Sequence, residues 1–159
     1  MISSLQQYNI YKADRYILVF YFLPGIIHRD ISEQNILVKR SGDNWEISGL
    51  IDFEDATYDL KVYEISICMM YMMSNSDNPM DIGGHCLQGF VKKRKLSQSE
   101  LDMLYYCVCA HFMRSLIAGL YNYSVTKDPY KLVSQKSWKA LKLLWDLPAQ
   151  EALQIWLSV

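Results

Sequence analysis

Hydrophobic and polar positions change their period several times along this chain, and the changes mark its elements. The run Tyr16-Ile17-Leu18-Val19-Phe20-Tyr21-Phe22-Leu23 is apolar throughout and stops at Pro24-Gly25. It is well short of the roughly 20 residues a membrane-spanning helix needs, and no small-residue cleavage site follows it, so it reads as a buried strand or irregular lead-in. Ile36-Leu37-Val38 and Trp45-Glu46-Ile47-Ser48-Gly49-Leu50-Ile51 flank the turn-forming Ser41-Gly42-Asp43-Asn44, which is the pattern of a β-hairpin. From Asp59 to Met73 nearly every helical face is apolar, as in a central buried helix. Asn78-Pro79 opens the next helix, with Cys86, Leu87, Phe90 and Val91 on one face and an end near Lys93. Ser97 and Glu100 form a capping box ahead of a helical run from Leu101 to Tyr121, which Gly119 interrupts near its end. Leu132 to Leu144, after Pro129, and Pro148 to Trp156 give two further helices. The expected fold is mainly α-helical with one small β-hairpin.

Polar residues inside these runs need separate explanations. Glu64 interrupts the most apolar helix, and a carboxylate there needs hydrogen-bond donors; its expected role is to tie that helix to a neighbouring loop. Met69, Met70, Met72 and Met73 read as core packing. Cys68, Cys86, Cys107 and Cys109 show no C-x-x-C spacing and sit in apolar helical patterns, as reduced core residues of a cytoplasmic protein do. His85 and His111 lack a ligand-spaced partner and are assigned to packing or a helix surface.

Composition narrows the function without choosing it. The 159 residues are 51% hydrophobic and 21% charged, enough apolar content for one domain with its own core. Lys and Arg total 16 against 17 for Asp and Glu, and Lys92-Lys93-Arg94-Lys95 falls at a helix end. Neither feature favours a nucleic-acid or membrane partner.

Candidate chemistry is concentrated in two short stretches. His28-Arg29-Asp30-Ile31-Ser32-Glu33-Gln34-Asn35 reads H-x-D-x-x-x-x-N, and beyond the hairpin comes Ile51-Asp52-Phe53-Glu54-Asp55. Kinase-like phosphotransferases place a catalytic Asp and two metal ligands in this order. Asp30 is the candidate base or orienting group for an acceptor hydroxyl. Asn35 and Asp52 are the candidate ligands for Mg²⁺ and, through it, the nucleotide phosphates, because a hard cation prefers oxygen donors. Glu33, Glu54 and Asp55 cluster around them as candidate partners for a substrate ammonium group. Asp52-Phe53 is followed by Glu54 where a protein kinase has Gly, and a helical pattern begins too soon for an activation loop.

With these motifs the chain resembles the aminoglycoside phosphotransferase and choline kinase-like superfamily of small-molecule kinases. From Ile27 to Trp156 it is most similar to the hydroxylysine kinases, through Glu33-Gln34-Asn35-Ile36-Leu37-Val38, Tyr71-Met72-Met73, Asp81-Ile82-Gly83-Gly84-His85, Trp138-Lys139-Ala140-Leu141 and Leu143-Leu144-Trp145-Asp146-Leu147-Pro148. It departs at Arg29, where the superfamily usually has Gly. The resemblance implies the C-terminal lobe of a protein-kinase-like fold over residues 27–159, after a lead-in over residues 1–26. It also implies an amino-alcohol acceptor such as 5-hydroxylysine, and GTP, with ATP as the alternative donor. A kinase of this type needs a nucleotide lobe ahead of His28, and the preceding residues hold no Gly-rich loop. The expectation is a lobe without its nucleotide lobe; the competing expectation is a truncated, inactive binding module.

Overall fold

The computed structural model describes residues 24–128 and 135–159. The apolar run Tyr16–Leu23, Pro129 and Leu132 lie outside the described residues. Among the described residues, four short strands precede five helices: β1 (Pro24–Ile27), β2 (Ile36–Ser41), β3 (Asn44–Leu50) and β4 (Thr57–Leu60), then α1 (Lys61–Ser74), α2 (Pro79–Lys93), α3 (Gln98–Thr126), α4 (Gln135–Trp145) and α5 (Ala149–Ser158).

The hairpin forms where the sequence places it. β2 pairs antiparallel with β3, Ser41 opposite Asn44, and Gly42 takes φ +62° in the connecting turn, where a residue without Cβ is unstrained. Leu37 faces Gly49 while Val38 faces Ile47, so Ser48 is an extra residue and the ladder bends at a β-bulge. Val38, Trp45 and Ile47 stand exposed on this hairpin.

One expectation is corrected at the first helix. Pro24-Gly25 opens a strand, β1, which runs to Ile27. Thr57–Leu60 pairs with it antiparallel, Pro24 opposite Leu60 and Ile27 opposite Thr57, so α1 starts at Lys61 and not at Asp59. Pro is tolerated as the first residue of a strand because no ladder donor is needed from it there. The β1–β4 ribbon closes the segment between its strands, and both stretches that carry candidate chemistry lie in that segment.

α1 is the centre of the lobe and packs against α2, α3 and α4, while α5 packs on α2 and α3. Val62, Ile65, Met69, Met70 and Met73 are buried, as the apolar pattern requires, and they meet Leu104, Val108 and Phe112 of α3. α3 starts with the expected capping box: Ser97 Oγ accepts from Glu100 N at 3.2 Å and Glu100 Oε2 accepts from Ser97 N at 2.7 Å. Gly119 does not interrupt α3; it is buried, and the helix runs on to Thr126 before Lys127 caps it with φ 56°. By length and composition α3 is apolar enough to cross a membrane, and one face of it forms core here. Gly83 has a packing reason: a Cβ there would lie 2.8 Å from Trp156 Nε1 and 2.9 Å from Met73 Sδ, so glycine allows α2 and α5 to approach.

Candidate active site

The loop from His28 to Asn35 is held from behind by α1. Glu64 accepts hydrogen bonds from the consecutive backbone N–H groups of His28 (2.8 Å) and Arg29 (2.9 Å), which is the role its place in an apolar helix suggested. Arg29 has φ 69°, a left-handed conformation that favours glycine and costs a side-chain-bearing residue on the order of 1–2 kcal/mol. A glycine would suit this position, and the Glu64 carboxylate helps to hold Arg29 in the conformation.

His28 joins the two motif stretches. It is buried, and its Nε2 lies 2.9 Å from Ile51 O while Asp30 N donates to its Nδ1 at 3.3 Å. A neutral ring protonated on Nε2 satisfies both bonds. Phe53 packs against the ring, centroids 4.6 Å apart. Asn35, also buried, donates through Nδ2 to Asp30 Oδ2 at 2.8 Å and to Asp30 O at 2.9 Å, and its backbone O accepts from Ile51 N at 3.0 Å. Ile51 is thus fixed from one side by His28 and from the other by Asn35, and Asp52 follows directly, exposed and with φ 68°. Asp30, Asn35 and Asp52 are brought to one locus by these bonds.

The donor set fits a hard divalent cation. Asn35 uses its amide nitrogen on Asp30, which leaves the amide oxygen for a metal, and Asp52 adds an exposed carboxylate. Mg²⁺ takes one or two protein oxygens and completes its shell with water and phosphate. Among the described residues no cluster of three or more His, Cys, Asp or Glu forms a self-sufficient metal cage.

The three residues assigned to an ammonium group lie in two places along the chain, one before the hairpin and two after it. Glu33 Oε1 accepts from Asn75 Nδ2 at 2.6 Å, tying the loop to the end of α1. Glu54 and Asp55 are exposed in the turn after Asp52, which closes with Ala56 N donating to Phe53 O at 3.1 Å. His85 lies exposed on α2, 3.7 Å from Asp81. Cys68 and Cys86, far apart in sequence, face each other across α1 and α2 as thiols.

Two features escaped the sequence reading. Tyr71 of α1 faces Asp30, and burial together with that carboxylate pushes its phenol up to about 12. Tyr71 lies two helical turns beyond Glu64, hence on the same face of α1, and that spacing was the available signal. The second is a cavity of about 430 Å³ between the loop that starts at His28, α1 and α3, lined among others by Arg29, Asp59, Tyr63, Tyr106, His111 and Arg114. Burial, with Arg114 and Arg29 nearby, lowers His111 to about 4.

A mainly helical lobe with a hairpin flanked by Asp30 and Asn35 on one side and Asp52 on the other is the C-terminal lobe of a kinase-like fold. Residues 18–94 match the phosphotransferase enzyme family. The chain is 33% identical to hydroxylysine kinase of Mus musculus over 95% of its own length and 42% of that protein's. With hydroxylysine kinase of Danio rerio the identity is 34%, over 85% of this chain and 39% of the relative. Homoserine kinase of Agrobacterium fabrum is 34% identical over 64% of this chain and 31% of the relative. The chain is therefore similar to the phosphotransferase enzyme family over residues 18–94 and is hydroxylysine kinase-like in sequence. It spans 42% of the length of the mouse relative.

Proposed function

We propose that this lobe serves a small-molecule kinase that moves the γ-phosphoryl group of GTP, or of ATP, to the side-chain hydroxyl of hydroxylysine. The observation that carries the reading is the pairing of Asn35 with Asp30 at 2.8 Å while Ile51, next to Asp52, is held by both Asn35 and His28. Asp30 orients the acceptor hydroxyl and takes its proton as the new oxygen–phosphorus bond forms and the bond from phosphorus to the leaving nucleoside diphosphate breaks. Asn35 fixes the Asp30 carboxylate in place, and Tyr71 faces it from α1. Asn35 and Asp52 would hold Mg²⁺, which when bound neutralises charge on the transferring phosphates. The free thiols of Cys68, Cys86, Cys107 and Cys109 suit a reducing, cytoplasmic compartment.

The test supplies a nucleotide lobe. The chain joined to the nucleotide lobe of a hydroxylysine kinase, given Mg²⁺, GTP or ATP and hydroxylysine, should yield phosphohydroxylysine by mass. The 159-residue chain alone should yield none, because positioning of the phosphates supplies most of the catalysis and needs a covering loop and a Lys. Asp30→Asn in the joined enzyme should lower kcat by at least about 100-fold, the lower range for a positioned acid or base. Unchanged kcat in that variant would remove Asp30 from the mechanism.

A further inference from the structure

The cavity beside the catalytic loop has a charge pattern that the phosphoryl-transfer residues do not explain. Arg29 enters it from the loop and Arg114 from α3, and among the described residues neither guanidinium has a carboxylate partner. Asp59, at the end of β4, lines the same cavity; its Oδ1 accepts from Leu60 N at 2.8 Å, which leaves the second oxygen for another donor. Tyr63, Ile67 and Met103 supply apolar wall. The volume lies at the small end of the usual range for ligand sites, about 300–1,000 Å³. Two cations and one anion in a half-apolar cleft complement a zwitterion with a short chain better than they complement a polyphosphate, which Asp59 would repel.

We propose that this cavity seats the head group of an α-amino acid, its carboxylate held by Arg29 and Arg114 and its ammonium by Asp59, with the side-chain alcohol directed to Asp30. The inference rests on the kinase reading for the fate of the alcohol and stands apart from it for the head group. Arg29 links the cavity to the reaction centre, because it precedes Asp30 directly. Arg114 acts on both Tyr71, which faces Asp30, and His111 within the cavity, so its charge spans the two places. In this arrangement the ammonium partner is Asp59, and Glu33 is left to its bond with Asn75. Arg29 thus carries a specificity-determining side chain on a left-handed backbone that would also suit Gly.

The experiment measures binding without turnover. The 159-residue chain is titrated by calorimetry with hydroxylysine, with lysine, and with the diamino alcohol made by removing the carboxyl group of hydroxylysine. Lysine should bind about as tightly as hydroxylysine, and the decarboxylated compound at least about tenfold more weakly, the effect of losing one charge-assisted contact. Arg114→Gln and Arg29→Gly should each weaken lysine binding by about tenfold or more while leaving the affinity for the decarboxylated compound within about twofold. Arg29→Gly suits the left-handed backbone, so loss of binding there cannot be ascribed to unfolding. Equal affinity with and without the carboxyl group, no binding of lysine, or displacement of lysine by inorganic phosphate at lower concentration than lysine itself requires would each overturn the proposal. Failure of the kinase reading looks different: lysine binds as described, yet the joined enzyme phosphorylates no alcohol. In the converse case the joined enzyme phosphorylates the decarboxylated compound as well as hydroxylysine, and only the head-group assignment falls.

Discussion

Replacing Glu64 by Gln should loosen the catalytic loop by an amount that can be worked out bond by bond. The carboxylate accepts two backbone N–H groups, from His28 at 2.8 Å and Arg29 at 2.9 Å. Hydrogen bonds to an ionised group contribute about 1.5–3 kcal/mol each. Gln keeps one acceptor oxygen and turns an NH₂ group toward the other N–H, so one bond is lost and a donor faces a donor. Glu64 is only half-buried, and water partly compensates, which brings the expected loss to about 2 kcal/mol. Arg29 adds a second readout, because its left-handed backbone is strained and the Glu64 bonds help to hold it. Arg29→Gly relieves about 1–2 kcal/mol of that strain. It also gives back about 0.5–1 kcal/mol to the greater freedom of the unfolded chain. The net gain is between about 0 and 1.5 kcal/mol, and it should be larger in the Glu64→Gln background than in the wild type, where the carboxylate already enforces the conformation. Urea unfolding of the four proteins in the double-mutant cycle measures both quantities. A loss below about 0.5 kcal/mol for Glu64→Gln, or strict additivity with Arg29→Gly, would show that Glu64 does not hold the loop.

Asp52→Asn in the joined enzyme should reduce Mg²⁺-dependent kcat by at least about 100-fold while stability stays within about 0.5 kcal/mol, since Asn tolerates the φ of 68° found there; near wild-type turnover across a Mg²⁺ titration would exclude Asp52 as a ligand. Gly83→Ala should cost about 1–3 kcal/mol in urea unfolding, because the new Cβ would meet Trp156 Nε1 at 2.8 Å and Met73 Sδ at 2.9 Å. His111 is lowered from 6.5 to about 4 in the folded protein, so the unfolded chain takes up a proton first as pH falls. The stability this group contributes is complete above pH 6.5 and is lost as pH drops toward 4; His111→Gln should flatten that part of the curve, and identical pH profiles for the two proteins would refute the assignment.

The hairpin and the bonds that join the two candidate stretches were legible because the expected spacing is imposed by chemistry and the connection is local. Asn35 and Asp52 must meet, and the segment between them can only return as a hairpin, whose turn Gly42-Asp43 announces itself. Glu64 was legible for a related reason, since a carboxylate in an otherwise apolar helix needs donors, and the backbone N–H groups at the start of the neighbouring loop supply them. The β1–β4 ribbon was hidden because neither strand has an alternating pattern long enough to stand out, and each is defined only by a partner distant in sequence. Read alone, Thr57–Leu60 merges with the apolar run of α1. Gly119 misled by its intrinsic helix penalty of about 1 kcal/mol, which burial of its neighbour Leu116 and of Phe112 on the same long helix offsets. The cavity was the hardest to foresee. Its lining comes from the loop, from β4, from one face of α1 and from one face of α3, and Arg29 and Arg114 look like ordinary surface cations until the α1–α3 packing places them around one space. A motif can be read where one segment carries the chemistry; specificity assembled from four elements becomes visible only after they have packed.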